Sequence, residues 1–136
     1  MLQGSLRFEV EVVEVQRHLN GTRYVSIEGD EEGASGGWAI ALNYGRPKDE
    51  ESSLEEADLA LTGPRGSIFA GLESGRTDIV TDDVGGDDRE LLELTMRVHG
   101  GDGDFADAAG EIRLQGEIMA AAGRLDVIIS LDAGRD

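Results

Sequence analysis

The sequence predicts an all-β protein with a closed sheet. Short segments alternate apolar and polar residues, which is the period of a strand with one buried face. No segment sustains the period of an amphipathic helix. Hairpin-length connections separate eight or nine such segments, a spacing typical of a sandwich or a barrel. Regular alternation with one polar face favours the barrel, because a closed sheet has no free edges to protect.

Length, charge and composition limit the functional classes. The 136 residues are enough for one domain with one core, covering residues 1–136. A formal net charge of −17 repels nucleic acid and anionic membranes, so neither is expected as a partner. The absence of cysteine excludes disulfides, thiolate catalysis and Cys-based metal sites. The sequence contains no transmembrane-length apolar run and residues 1–9 lack a signal-peptide pattern, so we expect a cytoplasmic protein.

The first strands carry a register change and a turn signal. Val12 and Val13 are adjacent within an otherwise alternating segment, which predicts a β-bulge that bends the strand. Asn20 and Gly21 predict a hairpin turn before a second strand over residues 24–28.

The third strand alternates large and small side chains. Its large residues share one face: Trp38, Ile40, Leu42 and Tyr44. Residues 49–56 form an acidic connection, interpreted as a solvated loop or one helical turn. The later strands are predicted over residues 57–62, 67–73, 77–81, 91–99, 111–119 and 125–131.

Residues 100–116 predict a hairpin with a long, glycine-rich connection. Several glycines surround Phe105, which we expect to anchor the loop to the core. The segment resembles the Gly-Gly-Thr-Gly-x-Phe-x-x-Ala-x-Gly signature of the allene oxide cyclase and dirigent families, with Asp102 where Thr is usual. This resemblance implies an eight-stranded antiparallel barrel with little or no helix. Such a barrel is just wide enough to be filled or to hold one small ligand.

A second segment, residues 33–47, is similar to the corresponding strand of bacterial spirotetronate cyclases, small barrels that close a ring by intramolecular [4+2] cycloaddition on a polyketide. The two resemblances imply a cofactor-independent cyclase of natural-product biosynthesis that folds a linear polyketide-like substrate, and they suggest a homodimer. An epoxide-opening or isomerising cyclase, a non-catalytic carrier of an apolar molecule and a filled structural barrel remain as alternatives.

Aromatic residues are scarce, so each inward one would shape a cavity strongly. The phenols of Tyr24 and Tyr44 can donate a hydrogen bond to a substrate carbonyl, and together with Trp38 they form the predicted catalytic set. Holding the substrate in a reactive conformation needs no cofactor. The predicted substrate-binding residues are Ser26, Ile40, Leu42, Phe69, Met96 and Met119.

Metal binding is not expected. Asp102, Asp104 and Asp107 offer oxygens but lack the spacing of an EF-hand, and their charge opposes phosphate. His18 and His99 have no carboxylate at metal-ligand spacing, and we expect His99 on the solvated exterior.

Overall fold

A computed structural model of the protein, which describes residues 2–17, 23–32, 37–46, 51–54, 56–81, 88–119 and 122–131, consists almost entirely of strands. They are β1 (Leu2–Arg17), β2 (Arg23–Glu31), β3 (Ala39–Arg46), β4 (Glu51–Ser53), β5 (Ala57–Gly63), β6 (Gly66–Thr81), β7 (Asp88–Gly101), β8 (Gly110–Met119) and β9 (Ala122–Leu131). A single 3-10 turn over Gly103–Phe105 is the one helical element of the described residues. None of those residues forms a helix of the length and apolarity that crossing a membrane requires.

The strands close into an antiparallel barrel. Eight of them follow the order β6-β5-β3-β2-β1-β9-β8-β7, and the pairing of β7 with β6 completes the ring. The short β4 pairs with the second half of β6, beyond the part that pairs with β5. The predicted fold class, a single closed eight-stranded antiparallel barrel, is confirmed.

Irregularities bend the long strands around the barrel. The register of β1 against β2 shifts between Val12 and Glu14, which confirms the predicted bulge. Residues 67–73 and 77–81 were predicted as separate strands, but both belong to the continuous β6. Between these two segments, the register of β6 against β7 shifts from Leu72 to Ser74. The interrupted alternation of the sequence here therefore marks a bend in one strand and not the end of a strand.

Side chains fill the barrel at mid-height. Ile40, Leu42 and Met96, three of the predicted substrate-binding residues, are at most 3% exposed and belong to this core. Other fully buried members come from most of the remaining strands: Phe8, Leu61, Ile112, Leu114 and Val127. An eight-stranded barrel is just wide enough for such a filling. Any ligand site inside the barrel therefore has to be sought at its two ends.

The two ends of the barrel are separated by its packed middle. Trp38 precedes β3 at one end and Tyr44 lies on β3 near the other. Six residues of extended strand span about 20 Å, so these two side chains cannot contact the same small ligand. Sequence alternation places both on one face but does not report their depth along the barrel.

Candidate functional site

The end of the barrel at Trp38 contains an apolar cavity of about 180 Å³. Its walls come from β1, the segment before β3, β6, the β7–β8 connection and β9. We call it the Trp38 cavity, and its lining residues are Gly4, Ser5, Leu6, Trp38, Ile68, Phe105 and Ile129. None of these seven side chains is ionisable, although the protein carries a net charge of −17.

Trp38 is held from several sides. Its backbone N–H donates to Glu31 Oε1 at 3.5 Å, and its carbonyl accepts from the N–H of Glu31 at 2.9 Å. The indole lies against Gly63, where a Cβ would come within 2.8 Å of a ring atom. Its ring centroid is 5.7 Å from that of Phe105, at an interplanar angle of 54°. The sequence contains no other tryptophan, so the indole is a unique optical reporter of this cavity.

Phe105 reaches the cavity from the β7–β8 connection and packs against the core, which confirms its predicted anchoring role. Asp102 ties this connection to β6. Its Oδ1 accepts from the Ser67 N–H at 2.8 Å, and its own N–H donates to the Ser67 carbonyl at 3.0 Å. Asp102 therefore has a structural role at the position where the resembled signature carries Thr.

The aspartates of this connection do not converge. Asp102 faces Ser67, whereas Asp104 forms a long ion pair of 3.9 Å with Arg65. Within the described ranges, no group of three or more His, Cys, Asp or Glu side chains is arranged to hold a metal ion.

The opposite end of the barrel carries a polar cluster that the sequence analysis did not identify. Glu90 Oε2 accepts a hydrogen bond from the Tyr44 hydroxyl at 3.0 Å and from Thr77 Oγ1 at 2.7 Å. Tyr44 and Thr77 are 1% and 0% exposed, whereas Glu90 is partly exposed. We call this cluster of Tyr44, Thr77 and Glu90 the Glu90 end.

Tyr24 and Ser26 lie on the outer face of β2, which corrects the prediction that they line the interior. Val25 and Ile27 alternate with them and occupy the inward positions, where both are buried. The Tyr24 ring covers Gly45 on the neighbouring strand, with a ring carbon 3.1 Å from where a Cβ would lie. Two consecutive residues of a strand cannot share a face, so the buried Val25 excludes Tyr24 from the interior.

Phe69 and Met119 also lie outside the barrel, a second correction. Phe69 stands between Ile68 and Ala70, which are both buried inward residues of β6. Met119 follows the inward Ile118 and is 45% exposed. In each case the alternation of the neighbours already indicates the outward direction.

Sequence reasoning missed several residues of the two ends, and the sequence signal for their inward position differs from residue to residue. Glu90 stands two positions before Leu92 in the inward series of β7, so its direction could have been read from the alternation. Thr77 follows the register shift of β6, which conceals its inward phase. Ile68 and Ile129 look like ordinary core residues, and only the assembled barrel places them at an end.

The outer face of β1, β2, β8 and β9 holds an acidic groove of about 910 Å³. Glu9 pairs directly with Asp30 across the strands, and Glu11 with Glu28. His99 is exposed on the exterior, as expected, and the prediction for His18 lies outside the described residues. The groove accounts for much of the acidity of this surface, but its carboxylates alone do not define a site.

The two ends of the barrel are thus the candidate sites within the described part of the chain. One is apolar and uncharged, and the other presents a carboxylate held by two hydroxyl groups. Comparison of the sequence with protein-family models and with curated proteins finds no match, and comparison of the structure with solved structures finds none either.

Proposed function

We propose that the protein binds an apolar small molecule in the Trp38 cavity and, by folding a linear polyketide-like chain there, promotes ring closure by intramolecular [4+2] cycloaddition. The observation that carries this proposal is an uncharged cavity framed by Trp38 and Phe105 on a strongly acidic protein. An apolar wall on such a surface favours a neutral, apolar guest.

The volume of the cavity matches the reacting part of such a substrate. Apolar cavities of about 150 Å³ bind benzene, so about 180 Å³ accommodates one six-membered ring. A [4+2] cycloaddition joins six carbons into one ring, and the remainder of the chain would extend beyond the cavity. Restricting the diene and dienophile to one reactive conformer accelerates the cycloaddition, because the two reacting groups are already close and correctly oriented.

The chemistry of the lining residues favours cycloaddition over the alternative ring closures. An epoxide-opening or isomerising reaction needs a proton donor or acceptor, and the cavity is lined by no ionisable side chain. Trp38 contributes an indole N–H, which can donate to a substrate carbonyl and polarise the dienophile. The proposed reaction requires no cofactor. Tyr44 belongs to the other end and is not part of this proposed site.

Binding can be tested with toluene, which is neutral and consists of one six-membered ring with a methyl group. We expect toluene to change Trp38 emission saturably and to shift the methyl signals of Ile68 and Ile129 in NMR spectra. Gly4→Leu should abolish both effects, because Gly4 lines the cavity and a Cβ there meets no atom within 4 Å. Gln115→Leu adds the same side chain on the exposed outer face and should bind toluene normally. If Gly4→Leu bound toluene as well as the wild type does, the Trp38 cavity would not be the binding site.

Catalysis needs a separate measurement. A linear polyketide analogue bearing a diene and a dienophile should convert to a product of equal mass and different retention time, faster than in buffer. Gly4→Leu should slow this conversion and Gln115→Leu should not. Binding without acceleration would favour a non-catalytic carrier, the second candidate that the same cavity supports. No binding at all would favour a filled structural barrel.

The resemblance adds the proposal of a homodimer, and the sequence pattern adds that of a cytoplasmic location. A homodimer in solution would be seen as a doubled mass in sedimentation equilibrium. A cytoplasmic location would be seen by fractionation of cells that express the full chain. Neither proposal affects the assignment of the Trp38 cavity.

A further inference from the structure

The Glu90 end is the other chemically distinctive part of the barrel. We propose that it is a second binding site, separate from the Trp38 cavity, which takes the protonated amino group of a small organic molecule. Tyr44 and Thr77, two of the most buried side chains of the protein, both donate to Glu90 Oε2. The carboxylate is thus held in one orientation, while its partial exposure leaves it open to a ligand.

The charge of Glu90 has no counter-ion among the described residues. None of the ion pairs formed among these residues includes Glu90. The preceding Arg89 faces outward and pairs with Glu117 at 3.4 Å. Within the described part of the chain, this partly exposed carboxylate therefore has two hydroxyl donors and no cationic partner, an arrangement that suits a positively charged ligand.

The neighbours of Glu90 are apolar. Ile118 pairs directly with Glu90, and Leu92 pairs with Thr77. Both are buried, as are Leu54 and Ala57 at the same end. This apolar surrounding raises the strength of a charged hydrogen bond made beside it.

An ammonium group suits the Glu90 carboxylate better than other ligand groups do. Both described donors go to Oε2, so Oε1 is available to accept from a ligand. An ammonium group supplies both the donor and the missing positive charge. The net charge of −17 concentrates cations and repels anions. A divalent metal needs several oxygen ligands, and the described residues offer no such group here.

The test is an NMR titration with n-butylammonium at neutral pH, followed through the methyl signals of Thr77 and Ile118. We expect saturable shifts with the amine, and binding about ten-fold or more weaker for n-butanol, since a hydrogen bond to a charged group is lost. Glu90→Gln keeps the shape of the side chain and should weaken amine binding by a similar factor. Glu93→Gln, at an exposed position of the same strand, should leave it unchanged.

A second variant keeps the test decisive if Glu90→Gln does not fold. Thr77→Val removes one of the two donors that orient the carboxylate and should weaken amine binding several-fold. Equal binding of amine and alcohol, or wild-type affinity in Glu90→Gln or Thr77→Val, would overturn the proposal. Shifts confined to Met119 and Ala122 would also overturn it, because they would assign the amine to the acidic groove. Trp38 emission should not respond, so the two sites are tested independently.

Discussion

Replacing Gly116 by alanine should destabilise the barrel by about 3–5 kcal/mol, through the loss of two ladder hydrogen bonds and strained packing. Gly116 lies on β8 and pairs with Leu125 of β9 and Leu92 of β7. A Cβ at this position would lie 2.1 Å from the Arg124 carbonyl oxygen, on the backbone of the neighbouring strand. Because that contact is with backbone, no side-chain rotation relieves it.

The magnitude follows from the displacement required. An ordinary contact needs about 1 Å more than the 2.1 Å available, so β8 and β9 would have to separate locally by that amount. Amide hydrogen bonds near 2.9 Å do not survive such a shift, and each contributes about 1 kcal/mol. Strain in the surrounding core adds about 1–3 kcal/mol. In a domain of this size the sum lowers the melting temperature by about 10–17 °C.

The assay is urea unfolding of wild type, Gly116→Ala and Gly4→Ala, followed by far-UV circular dichroism. Gly4 is the matched control, since a Cβ there meets nothing within 4 Å and alanine reduces the flexibility of the unfolded chain. We expect Gly4→Ala to be as stable as wild type or slightly more stable. If Gly116→Ala lost less than about 0.5 kcal/mol, the close approach of β8 and β9 would not be a constraint on the fold, and the reasoning would be refuted.

Three further predictions concern the core, the Phe105 loop and the acidic face. Leu114→Ala should cost about 2–5 kcal/mol in urea unfolding, because a fully buried side chain leaves a cavity; a cost under 1 kcal/mol would mean that the interior is not packed. Asp102→Ala should cost about 1 kcal/mol and weaken toluene binding, because the loop that positions Phe105 loses its side-chain bond to the Ser67 N–H and keeps only backbone bonds to β6. Unaltered toluene binding would show that the loop is held in other ways. Glu28→Gln should raise stability by about 0.2–1 kcal/mol at low salt, because Glu28 lies directly opposite Glu11. The gain should shrink as NaCl screens the repulsion, and a gain independent of salt would contradict an electrostatic origin.

Much of the fold could be predicted because strand formation leaves a local signal. The alternation around Val25 and Ile27 identifies an inward face without knowledge of any neighbouring strand. The adjacent Val12 and Val13 likewise indicated the bulge that the β1–β2 register shows. The same local rule places Tyr24 and Met119 outside, because each stands next to a buried, inward residue of its strand.

The composition of the two candidate sites depends on contacts between residues far apart in the chain. Trp38 meets Phe105, and Glu90 meets Tyr44, only because β6 pairs with β7 and closes the ring with a particular stagger. Alternation reports the face on which a side chain lies, whereas depth along the barrel depends on the register of every strand pair around the ring. The sequence therefore indicated strands, faces and a closed sheet. The division into an apolar end and a carboxylate end arises when those registers combine, because a barrel of this width fills its own middle and leaves interior space for ligands only at its ends.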